Sequence, residues 1–144
     1  MSHRTIRTII EEQEPVTAPA TLTVSEAARL MRERRIGAIM VLQEDTLAGI
    51  FTERDALIRV LAEGRDVQTT RLADVMTRNP KTIHPDRSFA EALQMMYGGS
   101  FRHVPVVEDG RPVGMVSARD ALGPELEAFV YEMLRQEQIG EILA

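Results

Sequence analysis

Two nine-residue stretches carry the residues most able to do chemistry. Residues 49–57 read GIFTERDAL and residues 114–122 read GMVSARDAL. Each sets a hydroxyl three positions before a carboxylate: Thr52 with Asp55, and Ser117 with Asp120. One use of that spacing is structural. A Ser or Thr oxygen accepts from the free N–H groups of a helix start, and an acid three residues on reaches back to the cap's own N–H. The other use is recognition. A helix start with its dipole is a place for an anion, and an ionised carboxylate accepts from a ligand's donors. Two details weigh toward recognition. The reciprocal cap favours the longer Glu or Gln at its last position, whereas both copies use Asp, and Glu53 stands only one position beyond Thr52. The two uses can also coexist, the hydroxyl capping the empty state and turning to phosphate in the bound one.

Arg102 and His103, in FRHVPVV, form the second candidate. Phosphate recognition needs cationic donors, and the guanidinium offers a planar fork. The alternative is a solvated strand-entry arginine beside a half-buried histidine. Other features read as structure. Arg32, Arg34 and Arg35 are a charge run on the outer side of a helix, and Gly98-Gly99-Ser100 suits a helix C-terminus as well as a phosphate cradle. His3, His84 and His103 lack the spacing of metal ligands. No nucleophile with its base, metal cluster or acid–base pair stands out, so the chain reads as a non-enzyme.

The elements that must position these residues occur twice. The two phrases are 65 residues apart, and the same offset aligns Pro15 with Pro80, Thr17 with Thr82, Glu26 with Glu91, Met31 with Met96 and Val41 with Val106, with no insertion. Such a register marks two copies of one structural unit. In each copy Val24, Ala27, Ala28 and Met31, or Phe89, Ala92, Leu93 and Met96, fall at helical spacing. Ser25 and Ser88 are the expected N-caps. Two short apolar runs follow, 39–42 and 47–51 in the first copy, 104–107 and 112–116 in the second; Asp109-Gly110 is a hairpin signal. A second helix opens at Thr52 or Ser117. The first runs to Gly64; the second breaks at Gly123-Pro124, and residues 65–71 join the copies.

This is an α/β pattern of two tandem helix–strand–strand–helix units, residues 1–66 and 67–123. At about 60 residues a unit buries too little surface to stand comfortably alone. The copies are therefore expected to pack together and share a core around a pseudo-twofold axis, leaving a cleft with two similar mouths. Residues 124–144 lie outside the repeat. Pro124 suits a first helical position, and Leu126, Phe129, Val130, Met133 and Leu134 make an amphipathic stripe. That stripe docks either on the chain's own core or on a second copy.

Composition sets the bounds. The chain has 144 residues, 44% apolar and 27% charged, with net charge −5 and no cysteine. Disulfide and thiolate chemistry are excluded, and broad nucleic-acid binding is disfavoured by the negative balance. No run nears the ~18 apolar residues of a membrane span, and acidic residues interrupt the N-terminus before any signal-peptide core. A cytoplasmic location is the expectation.

MTRNPKTIHPD (76–86), FRHVPVVEDGRPVGMVSARD (101–120) and IGAIMVLQEDTLAGIFTERD (36–55) together resemble a tandem pair of CBS domains, the Bateman module, over roughly residues 8–122. The resemblance implies a regulatory module that binds an adenosyl ligand such as AMP, ADP, ATP, S-adenosylmethionine or NAD and acts on a partner protein in trans. It implies no catalytic cofactor, and association two by two into a homodimer. By that resemblance Thr52 and Asp55 serve one ligand site and Ser117 and Asp120 the other, each Asp taking ribose hydroxyls, with Arg102 and His103 reaching phosphate.

Overall fold

The computed structural model describes residues 4–143, with side chains through Gln138; His3 lies outside the described residues. The order is α1 (Ile6–Ile10), β1 (Thr17–Pro19), α2 (Val24–Arg34), β2 (Ala38–Gln43), β3 (Thr46–Thr52), α3 (Glu53–Asp55), α4 (Leu72–Val75), β4 (Thr77–Arg78), α5 (Phe89–Gly99), β5 (His103–Glu108), β6 (Arg111–Ser117) and α6 (Gly123–Leu143). After α3 the helix widens to π geometry over Ala56–Leu61, closed by Ala62 N–H to the Leu57 carbonyl.

The 65-residue offset is a structural symmetry. Both hairpins are antiparallel, β2 on β3 and β5 on β6, and both carry a bulge at the same place, after Val41 and after Val106. Their turns hold two residues at positive φ, Glu44 and Asp45 in one, Asp109 and Gly110 in the other. This is the mirror-image turn that matches strand twist, and the first copy adopts it without a glycine. Ala18 pairs in parallel with Val41, and its counterpart Ile83 with Val106. Helices α2 and α5 end in left-handed caps at Arg35 and Ser100.

The cap of α2 is Thr23, not Ser25. Thr23 Oγ1 accepts from Glu26 N–H, and the Glu26 carboxylate accepts from Thr23 N–H, a full reciprocal box. Thr23 is the offset partner of Ser88, which does cap α5. Comparing the two copies finds the cap; local propensity alone picks the wrong serine.

The expected single shared core is instead two cores with exchanged helices. One packs Val24, Ala27 and Met31 of α2, Ile39 and Val41 of β2 and Phe51 of β3 against Leu72, Val75 and Met76. The other packs Phe89, Ala92, Leu93 and Met96 of α5 and Val104, Val106 and Val116 against Ile6 and Ile10. So the helix that precedes each copy in sequence completes the other copy's core. Backbone bonds fix this exchange: Ile6 N–H to Arg87 O, Phe89 N–H to Arg4 O and Leu72 N–H to Leu22 O. Gly49 admits the incoming chain, since a Cβ there would lie 2.5 Å from the Thr77 carbonyl oxygen. Among the described residues the second copy has no strand like β4 beside β6. The Gln13 side chain replaces it, its amide bonding both N–H and C=O of Met115.

Strand β2 is buried on both faces from Ala38 to Val41. Ile39 and Val41 turn into their own core. By alternation Ala38 and Met40 take the other face, and β3 meets β6 across the interior. This packing brings the two closing phrases to the same cleft.

Candidate functional site

The cleft divides into two pockets, each built from both copies. One, of about 720 Å³, takes Thr52 and Asp55 from the first copy and Asn79, Pro80 and Lys81 from the second. The other, of about 500 Å³, takes Ser117 and Asp120 from the second copy and Glu14, Pro15 and Val16 from the first. The pairing follows the repeat, because residues 14–16 are the offset partners of 79–81. Gly37, Glu53, Arg102 and His103 line both and form the wall between them. A Cβ at Gly37 would sit 3.0 Å from Glu53 Oε1 and 3.5 Å from His103 Cε1, so Gly37 lies in direct contact with both wall side chains. All six sequence candidates therefore meet in one place. Both volumes lie in the range of small-ligand pockets.

The two hydroxyl–carboxylate pairs differ in state. Thr52 and Asp55 form a full reciprocal cap, and the second copy keeps the half in which Asp120 accepts from Ser117 N–H, so the structural use of the spacing is realised despite the shorter Asp. Asp55 is buried, 5% exposed. Its Oδ2 accepts from Thr52 N–H at 3.0 Å and Thr52 Oγ1 at 3.1 Å, its Oδ1 from Thr77 Oγ1 at 3.0 Å, and Arg59 Nε lies 3.5 Å from Oδ1. Asp120 is half-buried in a 3-10 turn, and Ser117 N–H donates to its Oδ2 at 2.7 Å.

Arg102 is exposed at the entry to β5. His103 is half-buried, and burial pushes its imidazole below the ordinary 6.5. Glu53 pulls the other way, with Arg119 and Arg102 adding to the depression and Asp120 opposing it. His103 therefore stands in the wall as a neutral ring at pH 7, able to donate from one nitrogen and accept at the other.

Two cations of the smaller pocket escaped the sequence reading. Arg35 belongs to the charge run assigned to solvent, yet its left-handed cap position places it on that pocket. Arg119 sits inside the closing phrase itself and lines the same pocket. Gly99 and Ser100 end α5 and also line the larger pocket, so helix stop and pocket wall coincide there. Away from the cleft, His84, Asp86 and Glu108 bring ligand atoms within 4.8 Å of one another. Sequence spacing could not show this trio, because Glu108 arrives by strand pairing. The Arg7 guanidinium already bridges its two acids, at 2.9 Å from Asp86 and 2.6 Å from Glu108, and holds both below the usual carboxylate range.

A repeated α/β unit whose closing motif faces the other copy's strand entry defines a tandem-repeat ligand-cleft module. Comparison with known proteins gives that class its family. The CBS-domain family model matches twice, at residues 6–62 and 72–124, and the chain belongs to the CBS-domain family. It is 36% identical over 115 residues to the mitochondrial CBS domain-containing protein CBSX3 of Arabidopsis thaliana, covering 76% of this chain and 54% of that protein. The chain spans about half the length of that relative and about a fifth of other Arabidopsis CBS proteins it matches. Among solved structures, a protein with CBS domains from Burkholderia ambifaria MC40-6 superposes with a TM-score of 0.77 at 31% identity, over 81% of this chain and 90% of that one. The CBS domain pair of protein MJ0100, solved with 5′-methylthioadenosine and S-adenosyl-L-methionine, gives 0.74 at 28% identity, over 83% and 93%. Among the described residues no helix is long and apolar enough to cross a membrane.

Proposed function

We propose that this chain is a regulatory module that takes an adenosyl ligand between its two CBS repeats and passes the occupancy to a partner protein in trans, without catalysis of its own. The observation that carries the proposal is the shared wall. Arg102 and His103 stand between two pockets, each holding a hydroxyl–carboxylate pair, one at a helix start and one in a 3-10 turn. That arrangement offers acceptors for ribose hydroxyls beside cationic and neutral donors for phosphate. The adenosyl compounds bound by the related MJ0100 pair point to the same ligand class. AMP, ADP, ATP, NAD and S-adenosylmethionine are the candidates, and the cytoplasm is the proposed setting.

The test is a thermal-shift panel of those compounds with adenosine, and with GTP as control. A ligand bound only to the folded state at 100 times its Kd adds about 2.7 kcal/mol. For a chain of this length the melting temperature should rise several degrees. A flat panel would remove the sensor reading.

A second reading, an assembly module whose pockets stay empty, draws on exposed apolar side chains. Leu57, Ile58 and Leu61 after α3, and Leu126, Val130 and Leu134 on α6, all face solvent in the single chain. We propose that they meet a second copy in a homodimer. Sedimentation would show a dimer with or without ligand, and a monomer at micromolar concentration would count against it.

A further inference from the structure

We infer that one ligand binds per chain, in the Asp120 pocket, and that the Asp55 pocket is closed to ribose by Thr77 and Arg59. The inference rests on the adenosyl-ligand reading and narrows it. A carboxylate has about four lone-pair positions to offer. Asp55 spends them on its own fold: Thr52 N–H and hydroxyl at 3.0 and 3.1 Å, and the Thr77 hydroxyl at 3.0 Å to one oxygen and 3.3 Å to the other, with the Arg59 guanidinium as an ion pair at 3.5 Å. A ribose diol brings two donors and finds those positions filled. It would have to break bonds inside a carboxylate that is 5% exposed.

The repeat explains why Asp120 differs. The offset partner of Thr77 is Glu12, an exposed acid with no hydrogen to donate, and the partner of Arg59 is Pro124. Both donors that lock Asp55 are thus replaced by residues that cannot lock Asp120. Asp120 keeps its Ser117 N–H bond and stays half-buried on the wall of its pocket. Arg35, Arg102 and Arg119 line that pocket beside Glu14 and Glu53, and Arg54, Arg59, Lys81 and Arg102 line the other, so cations for an anionic group stand in both and the carboxylate decides between them. The larger volume of the Asp55 pocket does not favour it, because the decisive quantity is free acceptor capacity rather than space.

Calorimetric titration of the full chain with AMP, and separately with S-adenosylmethionine, tests this. The expected stoichiometry is one per chain. Asp120→Asn should weaken binding at least tenfold. Thr77→Val and Arg59→Met should lower the melting temperature yet leave affinity within about twofold. Arg59→Met keeps the test open if Thr77→Val does not fold. Two equivalents per wild-type chain would overturn the single site while leaving the adenosyl reading intact, as would binding that survives Asp120→Asn. Loss of affinity in folded Thr77→Val would also overturn it. No heat with either compound would remove the adenosyl reading itself.

Discussion

At the scale of the residue, His103 and Arg102 make separable predictions. The folded His103 pKa lies below its unfolded value of about 6.5. Above pH 6.5 both states are neutral and the term is constant. Below it the unfolded chain binds more protons, so stability falls as pH drops from about 6.5 toward the folded value. Asp86 and Glu108 act lower, since Arg7 depresses both and their contribution is lost only as pH falls through those depressed values. His103→Gln should therefore flatten the fall in melting temperature just below pH 6.5 and leave the loss at lower pH untouched. A phosphate facing His103 favours the imidazolium, so AMP affinity should rise as pH falls through the raised pKa of the bound ring and level off below the lowered pKa of the free one. On the proposed phosphate role, Arg102→Ala would remove a charge-assisted bond worth roughly 1.5–3 kcal/mol. AMP should weaken by about one to two decades while adenosine is nearly unchanged, read by calorimetry. Equal losses for both would place Arg102 in the fold or against the base.

At the scale of the element, close approach and tethering govern. Gly49 lets β4 pair with β3, and an added methyl would press on backbone. Gly49→Ala should cost roughly 1–3 kcal/mol through overpacking and lower the melting temperature by several degrees. Gly98→Ala in α5 meets no atom within 4 Å and should be neutral or stabilise by up to about 1 kcal/mol from helix propensity. The C-terminal helix is held to the site by Arg4. Its guanidinium donates to the Asp120 carbonyl at 2.8 Å, bonds Glu125 through Nε at 2.9 Å and lies over the Phe89 ring. Phe129 adds an edge contact with Tyr97. The stripe read from the sequence is thus divided. Phe129 and Met133 are half-buried, while Leu126, Val130 and Leu134 stay exposed. Arg4→Met should speed proteolytic cleavage within residues 123–138 without altering cleavage of the hairpins.

At the scale of the whole molecule, the exchanged helices make the halves depend on each other. Residues 1–66 alone lose Leu72, Val75 and Met76 from one core, and residues 67–144 alone lose Ile6 and Ile10 from the other. Fully burying side chains of this kind contributes about 1.5–3 kcal/mol each, a large share of the stability of a small domain. Neither fragment should show a cooperative melt as a monomer, and mixing the two should restore one. A sharp two-state transition in either isolated fragment would show that the exchange is dispensable.

Much of this was determined by the sequence itself. Hydrophobic period and turn chemistry are local, so the repeat, its strands, the Asp109-Gly110 turn and the closing phrases all stand where residues 49–57 and 114–122 imply. The six candidate residues do meet in one cleft. The tertiary structure alone decided what lies between residues distant in the chain. It sends Ile6 and Ile10 into the second core and Leu72 and Val75 into the first. It turns Gln13 into a substitute strand, brings Arg35 onto a pocket, and sets Glu108 beside His84. Above all it distinguishes two carboxylates that the sequence writes identically. Asp55 is saturated because Thr77 and Arg59 reach it, and Asp120 is not, because Glu12 and Pro124 stand in their places. A motif states which atoms a residue can offer; only packing states how many of them the fold has already used.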